Sequence, residues 1–355
     1  MKPYFFVIII LLIFSSTDCK KNPVAPPPAE SDTTNHAFIF NIFTFGGGGG
    51  SVLNDVAIIN DTLVYAVGSI YLTDSTGQYD RLPYNFAVWH GTSWQLTKVT
   101  IQRSYGPVIA PFYGVYAFSS NDIWFSSGWP VHGDGKNWTQ YDLDGMGILG
   151  KNDGYMTKAW GTSSSDIYFV GPMGTIVHYN GNSWTKLQSG TTLQINDIWG
   201  AQNPQTGQLE ILAVASDDIN KKLLRIQGTT VTTVADGGLS ASLNGVWFSP
   251  SIKYYVVGAG IAYKNTLDNL PWSSYPSGIV TSYASGGVRG NDISDVFVAG
   301  SFFELVHYNG SSWHNYKDVI PFTDGAVGRL AVKGNLMVTV GLSGQNAIAI
   351  IGKRE

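Results

Sequence analysis

Two stretches of this chain read as copies of one unit. Trp160 to Leu187 and Arg289 to Tyr316 align without a gap. They share Gly161/Gly290, Asp166/Asp295, Gly171/Gly300, the Val-His-Tyr-Asn-Gly of 177–181 and 306–310, and Trp184/Trp313. Each copy reads as four short strands. The first ends near Trp160, and a polar turn at 163–166 leads to Ile167-Tyr-Phe-Val. Gly171 closes that second strand, Thr175 to Tyr179 forms the third, and Asn180-Gly181 turns into a fourth that carries Trp184. Asn-Gly between alternating runs predicts a type I′ hairpin with φ > 0 at both central residues. Weaker copies begin near Asn54-Asp55, Asn121-Asp122, Asn196-Asp197, Gly245-Val246 and Leu330. The second strands end near 68, 127, 171, 215, 258, 300 and 341, at intervals of 59, 44, 44, 43, 42 and 41. Four strands repeated at that period predict an all-β fold, a seven-bladed β-propeller of four-stranded blades.

Composition agrees with short strands and tight turns. The 355 residues include 42 Gly and are 13% aromatic but only 13% charged, about half the usual charged share. A net charge of −4 with no basic block excludes a nucleic-acid binder, which needs a clustered cationic face. One Cys excludes disulfide frameworks, Cys-based zinc sites and iron–sulfur clusters.

Closure of the ring is also legible. The seventh unit stops after its third strand, at Ile351. His36 to Phe45 alternates like a strand that belongs to no unit, so the segment 36–45 is predicted to complete blade seven. Gly46 to Gly50 then leads into blade one. The propeller domain is expected over 36–355.

Ahead of it, Tyr4 to Phe14 is an apolar run too short to span a bilayer. With Cys19 just behind it, residues 1–18 resemble a bacterial lipoprotein signal, which implies lipid on Cys19. The sequence departs from that pattern in placing Ser16 and Asp18 where the family prefers Leu and a small residue. Lys20 follows the cysteine, where an aspartate would resemble the inner-membrane retention signal, so the resemblance favours the outer membrane. Residues 19–35, rich in Pro and polar side chains, read as a tether.

The Asp32-Thr33-Thr34 start with His36, Phe38 and Phe40, the Val-Leu-Asn-Asp-Val-Ala-Ile-Ile of 52–59, the His-Tyr-Asn-Gly-x-Ser-Trp hairpins and the Gly352-Lys353-Arg354 end resemble a group of bacterial propeller lipoproteins. Some members carry a glucosyltransferase label, which attaches to no residues of this chain. More distantly, the repeats resemble Kelch and sialidase-type propellers, without the sialidase Ser-x-Asp-x-Gly-x-x-Trp box.

No catalytic motif stands out. The Gly-x-Gly-x-x-Gly of 145–150 runs into a turn rather than a helix, so it reads as an interblade loop and not a dinucleotide site. His178 and His307 hold equivalent places on different blades and read as structural. Asp122, Asp166 and Asp295 read as turn formers bonding local backbone, and Trp94, Trp138, Trp184 and Trp313 as packing between blades. Neither a metal nor a cofactor is expected. Loops joining strands 2–3 and 4–1 lie on one rim, and there 71–83, 101–112 and 142–155 are long and irregular. Tyr79, Arg81, Arg103, Tyr105, Asp142, Asp144 and Tyr155 are therefore the candidate ligand-binding residues. The sequence reads as a monomeric, non-catalytic binding or assembly module in the cell envelope, for a protein or glycan. A carbohydrate-active enzyme at the same rim, or a purely structural envelope component, are the alternatives.

Overall fold

The structure, a computed structural model, describes residues 35–355 except 48, 79, 104, 105 and 322. Within them the chain forms seven four-stranded antiparallel sheets and one small two-stranded hairpin. The inner strands of blades one to seven are Val52–Asn60, Gly114–Ser119, Lys158–Ser163, Ile195–Gln202, Leu243–Ser249, Ser285–Asp292 and Ala326–Lys333. Each touches the inner strand of the next blade, and the seventh touches the first, so the blades form a closed ring.

Burial follows position within the blade. The second strands are covered by a blade on either side, and Asp295–Gly300 is buried throughout. The outermost strands alternate, as in Trp138–Gln140 and Trp313–Asn315, because one face meets water. The four repeated tryptophans do pack between blades. Trp94 lies against Phe43 and Phe45 of blade seven, Trp138 against Phe86 of blade one, Trp184 against Trp124 and Tyr141 of blade two, and Trp313 against Tyr255 and Tyr275 of blade five.

The ring closes as expected. Phe38–Phe45 pairs antiparallel with Asn346–Arg354, from Phe38 opposite Arg354 to Phe45 opposite Ala347, and is the outermost strand of blade seven. The long first interval has a structural cause: the hairpin of Ile101–Arg103 with Gly106–Val108 is inserted between blades one and two.

The expected type I′ turns are not found at Asn180-Gly181 and Asn309-Gly310. Strand pairing stops at Tyr179 opposite Trp184, leaving a four-residue loop in which Gly181 alone has φ > 0. Asn180 instead accepts the N–H groups of Asn182 (3.0 Å) and Ser183 (2.8 Å) on its side-chain oxygen. Paired positive φ values occur at the 2–3 turns: Met173 and Gly174 in blade three, Phe302 and Phe303 in blade six.

Inner strands are stapled to their neighbours. Five of them change register one or two residues into the strand, at Asn54, Asn196, Asn244, Gly286 and Gly328. Each of the three asparagines donates to a backbone carbonyl where the next blade begins, of Phe112, Leu243 and Ser285, at 2.8–3.0 Å. The aspartates that follow, Asp55 and Asp197, accept the N–H groups of Val115 and Val246, each at 3.0 Å.

Candidate functional site

Strand order places the loops 71–83, 101–112 and 142–155 on one rim, with all other 2–3 and 4–1 connections. Most large apolar side chains that are exposed among the described residues lie there too. They are Leu82, Tyr113, Met146, Tyr155, Met173, Ile219, Ile279, Tyr283, Phe302, Val319 and Leu342. The opposite, regular rim carries Leu209, Leu270 and Ile293. Exposed apolar side chains scattered singly are ordinary, but here they are unevenly divided between the two rims.

Three of the candidate residues converge. Arg103, Asp144 and Tyr155 line one cleft of about 310 Å³ together with Trp129, Lys151 and Asp153. The inserted hairpin delivers Arg103, whose guanidinium sits 5.0 Å from the centre of the Trp129 ring and donates to the Ser127 carbonyl (3.4 Å). Its Nε is buried without a hydrogen-bond partner. Tyr155 stacks at a tilt on Tyr113, ring centres 5.3 Å apart. Asp153 is fixed by Lys186 and by the Gly150 N–H (2.8 Å). Burial opposes its charge, but these two bonds outweigh burial and hold its pKa below the ordinary carboxylate value.

The other candidates fare differently. Asp142 is spent on its own turn, accepting the Gly145 N–H at 2.8 Å. Arg81 is exposed and lies outside the cleft lining. Tyr79, Tyr105 and Cys19 fall outside the described residues. Trp129 escaped the sequence reading because it opens a third strand and lacks the repeat position of the fourth-strand tryptophans. Lys151 and Asp153 follow Gly145 to Gly150, which forms turns and no helix.

On the regular rim the repeated polar residues serve one another. His132, His178 and His307 bond through Nε2 to Asp122, Asp166 and Asp295 at 2.8–2.9 Å. The three imidazoles stack on Trp124, Tyr168 and Phe297, ring centres 4.1–4.3 Å apart. His178 and His307, expected to hold equivalent places, make the same contact in their blades, and His132 makes it in blade two. The aspartates differ from the expectation of local backbone bonds, because each reaches diagonally to a His on the adjacent strand, a pairing that only sheet register creates. Among the described residues, no group of three or more His, Cys, Asp or Glu is arranged to hold a metal ion.

No family model and no curated protein matches the chain. Solved structures do. YCF48 bound to a D1 peptide is 15% identical over 89% of this chain and 97% of that one, with a TM-score of 0.63. YCF48 from Cyanidioschyzon merolae is 14% identical over 88% and 98%, with a TM-score of 0.59. The WD40 β-propeller domain of Doa1 is 13% identical over 90% and 98%, with a TM-score of 0.62. The likeness is one of fold: a β-propeller. At these identities it carries no site residue across, and the cleft around Arg103 and Trp129 stands on the geometry of this chain.

Proposed function

We propose that the protein is an envelope-anchored, non-catalytic binding module that holds a protein or glycan partner on its irregular rim. The observation that carries this reading is the asymmetry of the two rims. One exposes aromatic and aliphatic side chains and holds an Arg–Trp cleft, while the repeated polar side chains of the other pair internally. Arg, Trp and Tyr are the side chains that most often anchor protein interfaces, and aromatic faces equally suit sugar rings. One propeller of similar fold is described as bound to a peptide, which supports a peptide segment as one form of the partner.

Anchoring fits the path of the chain. Asn35 precedes the end of Phe38–Phe45 that pairs with Arg354, at the regular rim. A tether running from a lipidated Cys19 enters the propeller at that end of the strand. Cys19→Ser should move the protein from the membrane to the soluble fraction on cell fractionation. Full membrane retention of that variant would end the lipoprotein reading.

The rim is tested on partners captured from detergent-solubilised envelope by the parent protein. Arg103→Ala, Trp129→Ala and Tyr155→Ala should each reduce capture at least tenfold. Arg103→Ala and Tyr155→Ala should leave the melting temperature nearly unchanged, as surface substitutions within about 0.5 kcal/mol do. Undiminished capture by all three would place the site elsewhere. Asp144 and Asp153 share the cleft, which is what a carbohydrate-active enzyme at this rim would build on. Asp153, held ionised by Lys186, is unsuited to protonating a leaving group. Hydrolysis or transfer on envelope glycans that Asp144→Asn abolishes would favour the enzyme.

A further inference from the structure

The axis of the ring carries charge that the rim does not use. Asp55 on the inner strand of blade one meets Lys158 of blade three, and Asp197 of blade four meets Arg289 of blade six. The second pair is bidentate, with both nitrogen–oxygen distances 2.8 Å. All four residues are more than nine-tenths buried. A third cation, Arg329 of blade seven, donates to the Asn196 carbonyl of blade four at 3.2 Å. Burial opposes the charge of Asp197, and Arg289, Lys158 and Arg329 together overcome it and hold its pKa low, which places all three in one electrostatic neighbourhood. Three basic side chains thus share two carboxylates, and burial lowers the pKa of Lys158 against the pull of Asp55.

Beside this belt, toward the regular rim, lies a cavity of about 330 Å³. Lys158 and Arg289 line it from the belt, and Lys333 lines it where the inner strand of blade seven ends. No carboxylate lines it. Its walls include Tyr116, Trp160, Trp199 and Leu330. The guanidinium of Arg289 lies 4.9 Å from the centre of the Trp199 ring, and the Trp199 indole N–H is buried without a hydrogen-bond partner. Lys333 Nζ, at the exposed end, donates to the Ile59 carbonyl.

We propose that this cavity is a binding site for a small carboxylate with a flat, apolar body. The charged side chains lining the cavity are all basic, and their attraction for an anion, strengthened where the dielectric is low, is set against the cost of taking that anion out of water. Aromatic walls select a flat body. The volume lies at the small end of ligand pockets, about 300–1,000 Å³, which sets the size at roughly a dozen non-hydrogen atoms. This site is separate from the irregular rim and stands whether or not a partner docks there.

The test uses three probes of one shape: benzoate, benzyl alcohol and benzylamine, titrated calorimetrically into the purified full-length protein in detergent. Benzoate should bind saturably at one site per chain, at least tenfold more tightly than benzyl alcohol, with benzylamine weakest. Ala331→Phe and Ala117→Leu add bulk to two walls of the cavity without touching a charge, and each should weaken benzoate at least tenfold while the protein stays folded by circular dichroism. Arg103→Ala, on the rim, should leave benzoate binding within twofold of the parent. The proposal is overturned if benzoate fails to bind, if benzyl alcohol matches it, or if a folded wall variant binds it as the parent does. Undiminished partner capture by the rim variants with benzoate binding intact would count against the rim alone.

Discussion

Single residues account for the regularity that made the repeat visible. The glycine closing the second strand in blades one, three, five, six and seven is Gly68, Gly171, Gly258, Gly300 and Gly341. A Cβ there would stand 1.8–2.4 Å from a backbone oxygen at the start of the same blade's inner strand, closer than any side chain permits. The blade therefore requires the absence of a side chain at this position. At the hairpin tips the determinant is the side chain of Asn180 and not its backbone, because its φ is not positive. Asn180→Val should cost about 1 kcal/mol through the lost hydrogen bonds to Asn182 and Ser183. Asn180→Asp, which keeps the acceptor, should cost a small fraction of that. Urea denaturation of both variants checks it, and equal losses would return the cause to backbone conformation. Met173, Phe302 and Phe303 show the converse, holding φ of 55–59° without being glycine, at about 1–2 kcal/mol each. Phe303 is buried while Phe302 projects half-exposed against Tyr283, ring centres 4.4 Å apart.

At the scale of elements, the strand Phe38–Phe45 is the closure and its lower end is a histidine cluster. His36 Nδ1 lies 2.9 Å from His307 Nδ1, its ring centre 5.1 Å from that of His314, and its carbonyl accepts the Tyr316 hydroxyl at 2.9 Å. Arg354, which pairs with Asp295, and Ser312 complete the groups facing it. Burial lowers the pKa of His36 to about 4, with the charges of His307, His314 and Arg354 adding to the shift. Burial also lowers that of His307, against the pull of Asp295. Both histidines regain an ordinary pKa near 6.5 on unfolding, so the unfolded chain binds more protons than the folded one below that pH. The stability is complete above about pH 6.5 and falls as the pH drops from there toward 4. The guanidinium midpoint should decrease from pH 7.5 to 5, and His36→Gln should reduce that decrease. An unchanged decrease in the variant would remove His36 from the account.

At the scale of the whole molecule, the ring is held by strand-to-strand staples and by ion pairs across its axis. Asp197 serves both, accepting the Val246 N–H and the Arg289 guanidinium. Asp197→Ala leaves Arg289 buried without its carboxylate, which should cost about 3–5 kcal/mol. The double variant Asp197→Leu with Arg289→Met should regain much of that loss, since a packed apolar pair substitutes well for a buried ion pair. Chemical denaturation of both checks this, and a double variant no more stable than the single would show that the Val246 N–H is the larger loss.

The sequence by itself determined the strands, the blade count and the closing segment. These depend on periodicity and turn residues within about 45 positions, and each blade repeats the same local solution. It also placed the irregular loops on one rim, since strand alternation decides which connections share a side. It did not show that Arg103, Asp144 and Tyr155 would meet around Trp129, because loop conformation follows no period. The Asp–His pairs needed cross-strand register, which composition does not encode. The axial belt was the least legible part: Asp55 and Lys158 are 103 positions apart, Asp197 and Arg289 92. Read along the chain, each is one charge on an inner strand. Only closure of the ring brings them to a common axis, where burial turns isolated charges into obligatory pairs.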